Sequence, residues 1–323
     1  LASQVNRDTL TECFRGALLG TMVGDALGMP VEGMSNSVIR ARYDLVTEML
    51  PARLGRGTYT DDTEMMIGLA EALLDTPGRL DAHQVAARFS ENFNPDRGYG
   101  GTAQKILLAI REGMQWQDAT KTHGLPGGSY ANGAAMRVAP IPLAFYGDAK
   151  ATVQAAAQQA AITGHTHPIG RIGACLQAIA VRWAISSKVQ GAELDAKSFL
   201  KNLKLAGPKE FVDALGWIVE NLAASPEEAA NHLGTGAQAS CSVSAALWAV
   251  LSSPQDPEMA IIRAVSLGGD TDTIGAMAGA VAGAYHGAEA LPRRWTQALE
   301  EGDKGKGYVL ELADRLLDIA TIE

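Results

Sequence analysis

Gly268-Gly269-Asp270-Thr271-Asp272-Thr273-Ile274-Gly275-Ala276-Met277-Ala278-Gly279-Ala280-Val281-Ala282-Gly283-Ala284-Tyr285 is the stretch on which the fold turns. Two glycines and alternating carboxylates and hydroxyls lead into a helical pattern with glycine at every fourth position. A glycine inside a helix costs about 1 kcal/mol relative to alanine, so a stripe of them implies a compensating contact. Residues at i and i+4 share a face, and glycine lets another backbone come close. The stretch predicts a helix at the centre of a helical protein, with Asp270 and Asp272 at its mouth. Residues 9–29, with Thr9 or Thr11 near the cap, carry the matching stripe Gly16, Gly20, Gly24 and Gly28. The two striped helices are predicted packing neighbours. Asp25 lies on the first, and Glu32 follows its break at Pro30.

Acidic residues at a helix start are ordinary caps. What departs from that reading is a second acidic mouth, Thr60-Asp61-Asp62-Thr63, opening another run of good helix formers. If the two mouths converge, the repulsion among four aspartates must be relieved by protonation or by a cation. Oxygen-only ligands favour Mg²⁺, Mn²⁺ or Ca²⁺ over Zn²⁺. Two independent caps are the bland alternative.

The chain has 323 residues, 47% of them apolar, and a net charge of −9. No basic run is present, which argues against binding to duplex nucleic acid or anionic membranes. A glycine-rich nest of N–H groups can still hold phosphate. Cys13, Cys175 and Cys241 are far apart in apolar contexts, as expected of buried thiols in a reducing, cytoplasmic setting. Residues 1–10 lack a secretory apolar core, and no apolar run reaches about 18 residues. The Gly275, Gly279, Gly283 stripe matches a membrane-dimer motif, but its run is short and bracketed by Asp270, Asp272 and His286.

Further helices are expected over 82–93, 102–114, 149–162, 172–186, 196–204, 208–223, 226–231, 238–252, 257–267 and 308–320, with a short one between 35 and 57. No alternating strand pattern appears, and no linker divides the chain. The expectation is one all-α domain over residues 1–323.

Several loops could carry chemistry. Gly98-Tyr99-Gly100-Gly101 precedes a helix and resembles a phosphate nest. Gly127-Gly128-Ser129-Tyr130-Ala131-Asn132-Gly133 offers a tyrosine to stack on a base and an asparagine for a sugar. His165-Thr166-His167 before Pro168 reads as a turn whose imidazoles cap carbonyls, as a substrate contact, or as a zinc pair lacking further ligands. Glu32 stands between Pro30 and Gly33 on a turn, free to reach a ligand.

Together the motifs resemble the ADP-ribosylglycohydrolase family. The markers are Gly24-Asp25-Ala26-Leu27-Gly28 with Glu32, Thr60-Asp61-Asp62-Thr63, Asn132-Gly133 with Met136-Arg137, His165, and Gly268-Gly269-Asp270-Thr271-Asp272-Thr273. Pro95-Asp96-Arg97-Gly98-Tyr99-Gly100, Gly128-Ser129-Tyr130 and Ser266-Leu267 are most similar to the type-3 branch, which removes ADP-ribose from serine and degrades poly(ADP-ribose). Thr102, Ala103, Pro168 and Arg171 depart from that branch's pattern.

The resemblance implies a compact orthogonal helical bundle with a central cleft for two Mg²⁺ or Mn²⁺ ions. Thr60, Asp61 and Asp62 would hold one ion, and Asp270 and Thr273 the other, with Asp272 bridging. Glu32 would lie on a mobile loop over the distal ribose and act as catalytic acid or base, alongside Asp61 and Asp62. Gly98, Gly100, Gly101, Gly128, Ser129, Gly133 and Met136 would line the diphosphate and ribose path. Tyr130 would stack on adenine, and Asn132 and His165 would make polar contacts. The implied partners are ADP-ribosylated protein or ADP-ribose polymer, with ADP-ribose as product. The competing readings are an ADP-ribosyl-arginine hydrolase, a non-catalytic ADP-ribose-binding or structural protein, and a metallophosphatase attacking the diphosphate.

Overall fold

The structure, a computed structural model, describes residues 7–203 and 208–320. The first six residues of the polar 1–10 stretch and the last residue of the helix expected over 196–204 lie outside that range. In chain order the α-helices are α1 Arg7–Gly28, α2 Asn36–Tyr43, α3 Asp61–Asp75, α4 Ala82–Asn92, α5 Gly101–Arg111, α6 Trp116–His123, α7 Pro140–Ala144, α8 Ala149–Ile162, α9 Pro168–Gln190, α10 Ala196–Leu203, α11 Lys209–Glu220, α12 Pro226–Leu233, α13 Ala239–Leu251, α14 Pro257–Ser266, α15 Thr271–His286, α16 Arg293–Thr296 and α17 Lys306–Ile319. Among the described residues there is no strand, only the isolated bridges Ser35 to Gly268 and Ala131 to Gln238. The fold is all-α.

The two glycine-striped helices, α1 and α15, pack backbone to backbone. A Cβ added at Gly16 would stand 2.1 Å from the Gly283 carbonyl oxygen, one at Gly20 2.1 Å from that of Gly279, and one at Gly24 1.9 Å from that of Gly275. The paired numbers run in opposite directions, so the helices are antiparallel. Every residue is buried from Gly16 to Gly28 on α1 and from Thr271 to Ala284 on α15. The remaining helices wrap this pair: α9, α13 and α14 lie against α15, and α3 and α17 against α1. One apolar core runs from Leu10 on α1 to Leu317 on α17.

Local chemistry explains most helix starts. Asp81, Asp148 and Asp256 cap α4, α8 and α14, and Ser225 forms a capping box with Glu228 on α12. Several expectations need correction. Thr11 Oγ1 donates to the Arg7 carbonyl inside α1 and caps nothing. Helix α9 begins at Pro168 rather than Ile172, because proline fits the first helical position and His167 Nδ1 accepts from the Ile169 amide. His167 thus caps a helix start and no carbonyl. The short helices α6, α7 and α16 were not expected. Of the cysteines, only Cys13 is buried; Cys175 and Cys241 are intermediate, and all three are free.

Candidate active site

Asp25 anchors the first acidic mouth. It is fully buried on α1 and accepts from the Thr60 amide at 3.0 Å, the Thr63 amide at 3.1 Å and Thr63 Oγ1 at 2.6 Å. Thr60 Oγ1 in turn accepts from the Asp62 amide. The free donors at the start of α3 are therefore taken by Asp25 and Thr60, which releases Asp61 and Asp62 from capping. At the second mouth, Asp270 precedes α15 without capping it by its side chain. Its Oδ2 accepts from Asn132 Nδ2 at 2.6 Å.

The carboxylates left over converge. Single oxygen atoms of Glu32, Asp270 and Asp272 lie within 4.8 Å of one another. Thr273 Oγ1 donates to Asp62 Oδ2 at 3.4 Å and joins the two motifs. Asp62 Oδ1 is buried without a hydrogen-bond partner. A buried orphan acceptor on a residue that shares one cleft with a carboxylate cluster is the arrangement a hard cation satisfies, so the residues fit the metal that the motifs imply. The titration directions agree. Burial first, then Asp25 and the other aspartates, pushes Asp62 well above the ordinary carboxylate range. Asp272 is raised in the same way by burial, Asp270 and Glu32. Burial and Asp25 push Asp61 up to about 8. Glu32 is raised by burial and Asp270, against the opposing pull of Arg53. Without a cation these groups must hold protons or repel.

These residues line a cleft of about 340 Å³. One wall is the loop leading into α5, where positions Gly100 and Gly101 face open space and Gly98 has a φ of +100° beneath the Arg53 guanidinium. The opposite wall carries Ser129, Asn132, Gly133, Met136 and His165. Three expected residues do not line the cleft. Thr60 is fully buried under the first mouth. Gly128 packs against Thr166 and His167. Tyr130 is 52% exposed and meets the His167 ring edge to face. The Glu32 loop is stitched down: the Gly33 amide donates to the Gly269 carbonyl and the Gly269 amide to the Met34 carbonyl, both at 2.8 Å. Glu32 therefore reaches Asp270 through backbone bonds to the second motif, with its side chain paired to Arg53 at 3.7 Å.

Sequence patterns left Asp25 and Arg137 without a role. Each is a charged residue in an otherwise apolar run, and that was the available signal. Thr102 and Ala103, which depart from the type-3 pattern, also line the cleft, as do Met65, Leu125, Ala237 and Thr163, which carry no sequence mark.

The model of the family described as ADP-ribosylglycohydrolase matches residues 6–321. The chain belongs to the ADP-ribosylglycohydrolase family. Membership makes it an enzyme of the glycosyl hydrolase type, in a metal-dependent family. It is similar to the protein named ADP-ribosylhydrolase ARH3 of Bos taurus, with 33% identity covering 89% of this chain and 88% of that protein. The Homo sapiens protein of that name is 32% identical, with 89% of each chain covered. An uncharacterized Archaeoglobus fulgidus protein is 32% identical over 96% of this chain and 97% of its own. A solved structure described as an ADP-ribosylglycohydrolase-related protein complex matches with a TM-score of 0.74 and 28% identity, covering 97% of this chain and 100% of that one. No helix among the described residues is long and apolar enough to cross a membrane.

Proposed function

We propose that this enzyme releases ADP-ribose from serine-linked ADP-ribosylated protein and acts on poly(ADP-ribose), using two Mg²⁺ or Mn²⁺ ions. The observation that carries the reading is the convergence of Glu32, Asp270 and Asp272 beside the orphaned Asp62 Oδ1, opposite an open glycine loop. Asp61, Asp62 and Thr60 would hold one ion, Asp270 and Thr273 the other, and Asp272 both. Such ions supply charge to position ribose hydroxyls and to acidify an attacking water. The bond that breaks develops oxocarbenium character. Glu32 moves a proton at that bond from the edge of the cleft. The amides at the start of α5, where Gly100 and Gly101 leave the backbone open, receive the diphosphate. Asn132 holds Asp270 in place, and Tyr130 at the rim meets the adenine. The whole chain, residues 1–323, is proposed to act as one domain in the cytoplasm.

The test is release of ADP-ribose from matched peptides carrying serine-linked or arginine-linked ADP-ribose, with Mg²⁺ and after EDTA. The expected outcome is preference for serine and loss of turnover on chelation. Preference for arginine overturns the linkage, AMP as product overturns the bond, and full activity in EDTA overturns the metals.

A further inference from the structure

Behind one wall of the cleft, a buried chain of hydrogen bonds runs from Arg137 to His165. Arg137 is fully buried, and none of its hydrogen-bond acceptors is a carboxylate. Its Nε donates to Gln159 Oε1 at 2.7 Å, and its Nη2 to Thr163 Oγ1 at 2.9 Å. Thr163 Oγ1 lies 3.1 Å from His165 Nδ1. A guanidinium only donates, so the Thr163 oxygen accepts from Arg137. The Thr163 hydroxyl proton then needs an acceptor of its own, and the His165 Nδ1 lone pair provides it. The other tautomer would aim two N–H groups at one hydroxyl oxygen and strand the hydroxyl proton. An imidazolium would fail in the same way. Leaving a buried donor unpaired forfeits its hydration without return.

We propose that Arg137 and Thr163 are positioning residues that hold His165 as its neutral Nε2–H tautomer, so that Nε2 donates to a ligand oxygen in the cleft. Gly133 keeps that nitrogen accessible: a Cβ there would stand 2.9 Å from His165 Nε2. His165 and Gly133 both line the cleft. Burial and the Arg137 charge push the His165 pKa down to about 3, which suits a fixed donor and not a proton carrier. That the acceptor is a hydroxyl or phosphate oxygen of an ADP-ribosyl substrate rests on the function proposed above. The tautomer itself does not.

The experiment uses the full chain with ¹⁵N-labelled histidine and long-range ¹H–¹⁵N correlation at neutral pH. His165→Gln identifies the His165 signals by their loss. The expected pattern is protonated Nε2 and bare Nδ1, holding down to about pH 5 although free histidine titrates near 6.5. Thr163→Val is expected to lose the single-tautomer pattern and to raise KM for an ADP-ribosylated peptide about tenfold, one hydrogen bond's worth. Thr163→Ser is expected to restore both. A protonated Nδ1 in the wild type overturns the proposal, as does an unchanged pattern in Thr163→Val. If Thr163→Val does not fold, the wild-type and Thr163→Ser spectra decide. An enzyme inactive on ADP-ribosyl substrates with the expected spectrum would overturn the proposed function and leave the tautomer standing.

Discussion

Glu32 differs from the other acids of the cleft in being the most exposed of them, only partly desolvated, and paired to a neighbouring cation, Arg53. Replacing it by glutamine keeps its shape and removes only the ionisable group. Glu32→Gln is expected to lower single-turnover release of ADP-ribose at least about 10²-fold, the smaller end for a lost acid–base group. Its ADP-ribose affinity, measured by calorimetry, is expected to stay within about tenfold, less than 1.4 kcal/mol. Near-normal turnover would move the proton transfer to Asp61 or Asp62. At this scale, the aspartates that converge were legible because each stands with hydroxyls at the start of a helix, and Glu32 because it stands on a turn between Pro30 and Gly33. Asp25 was less so. Its partners, Thr60 and Thr63, lie 35 and 38 residues away, and no local pattern connects an aspartate in the last turn of one helix to the start of another. Tyr130 shows the opposite limit: a ring that can stack is visible in sequence, but its half-exposed setting at the rim is not.

The element that organises the fold is the α1–α15 pair, and it was legible because both helices repeat glycine with the same period. Alanine is the better helix former by about 1 kcal/mol, so the sign of a Gly→Ala change reports contact and not propensity. At Gly279 the new Cβ would stand 2.0 Å from the Gly20 carbonyl oxygen. Gly279→Ala must push the helices apart and is expected to destabilise the fold by several kcal/mol, beyond the 1–3 kcal/mol of ordinary overpacking. Gly216, exposed within α11 with nothing near its would-be Cβ, is the control. Gly216→Ala is expected to stabilise by about 0.4–1 kcal/mol. Urea melts of the two variants check both signs, and a mild effect at Gly279 would show that the helix pair relaxes freely. Helices α6, α7 and α16 escaped the sequence reading for a matching reason. They span 8, 5 and 4 residues and none opens on a side-chain cap, whereas α12, also 8 residues long, opens on the Ser225 capping box; tertiary packing decides them.

For the molecule as a whole, the acidic cleft ties stability to pH and to metal. Asp61, raised to about 8, and Asp62 and Asp272, both raised well above the ordinary carboxylate range, hold protons in the metal-free fold that the unfolded chain releases near pH 4. An acid with a raised folded pKa contributes stability that is complete below its unfolded value and lost as pH rises through its folded value. His165 works the other way: its depressed pKa costs stability as pH falls below about 6.5. Cys13, pushed up to about 12 from 9.0, adds a loss only above its unfolded value. Between about pH 7 and 8.5, then, the cleft carboxylates dominate these terms, and each still holding a proton steepens the loss by up to about 1.4 kcal/mol per pH unit. The EDTA-treated protein is therefore expected to melt at progressively lower temperature across that window. A bound divalent cation displaces those protons and takes their place as the counter-charge. Mg²⁺ or Mn²⁺ at one hundred times its dissociation constant is expected to add about 2.7 kcal/mol and to flatten the pH dependence. Calorimetric melting with and without metal, repeated on Asp62→Asn, separates the contributions. A metal-free melting temperature that is level from pH 7 to 8.5, or a metal effect no larger in the wild type than in Asp62→Asn, would break the link between the buried carboxylates and the cation.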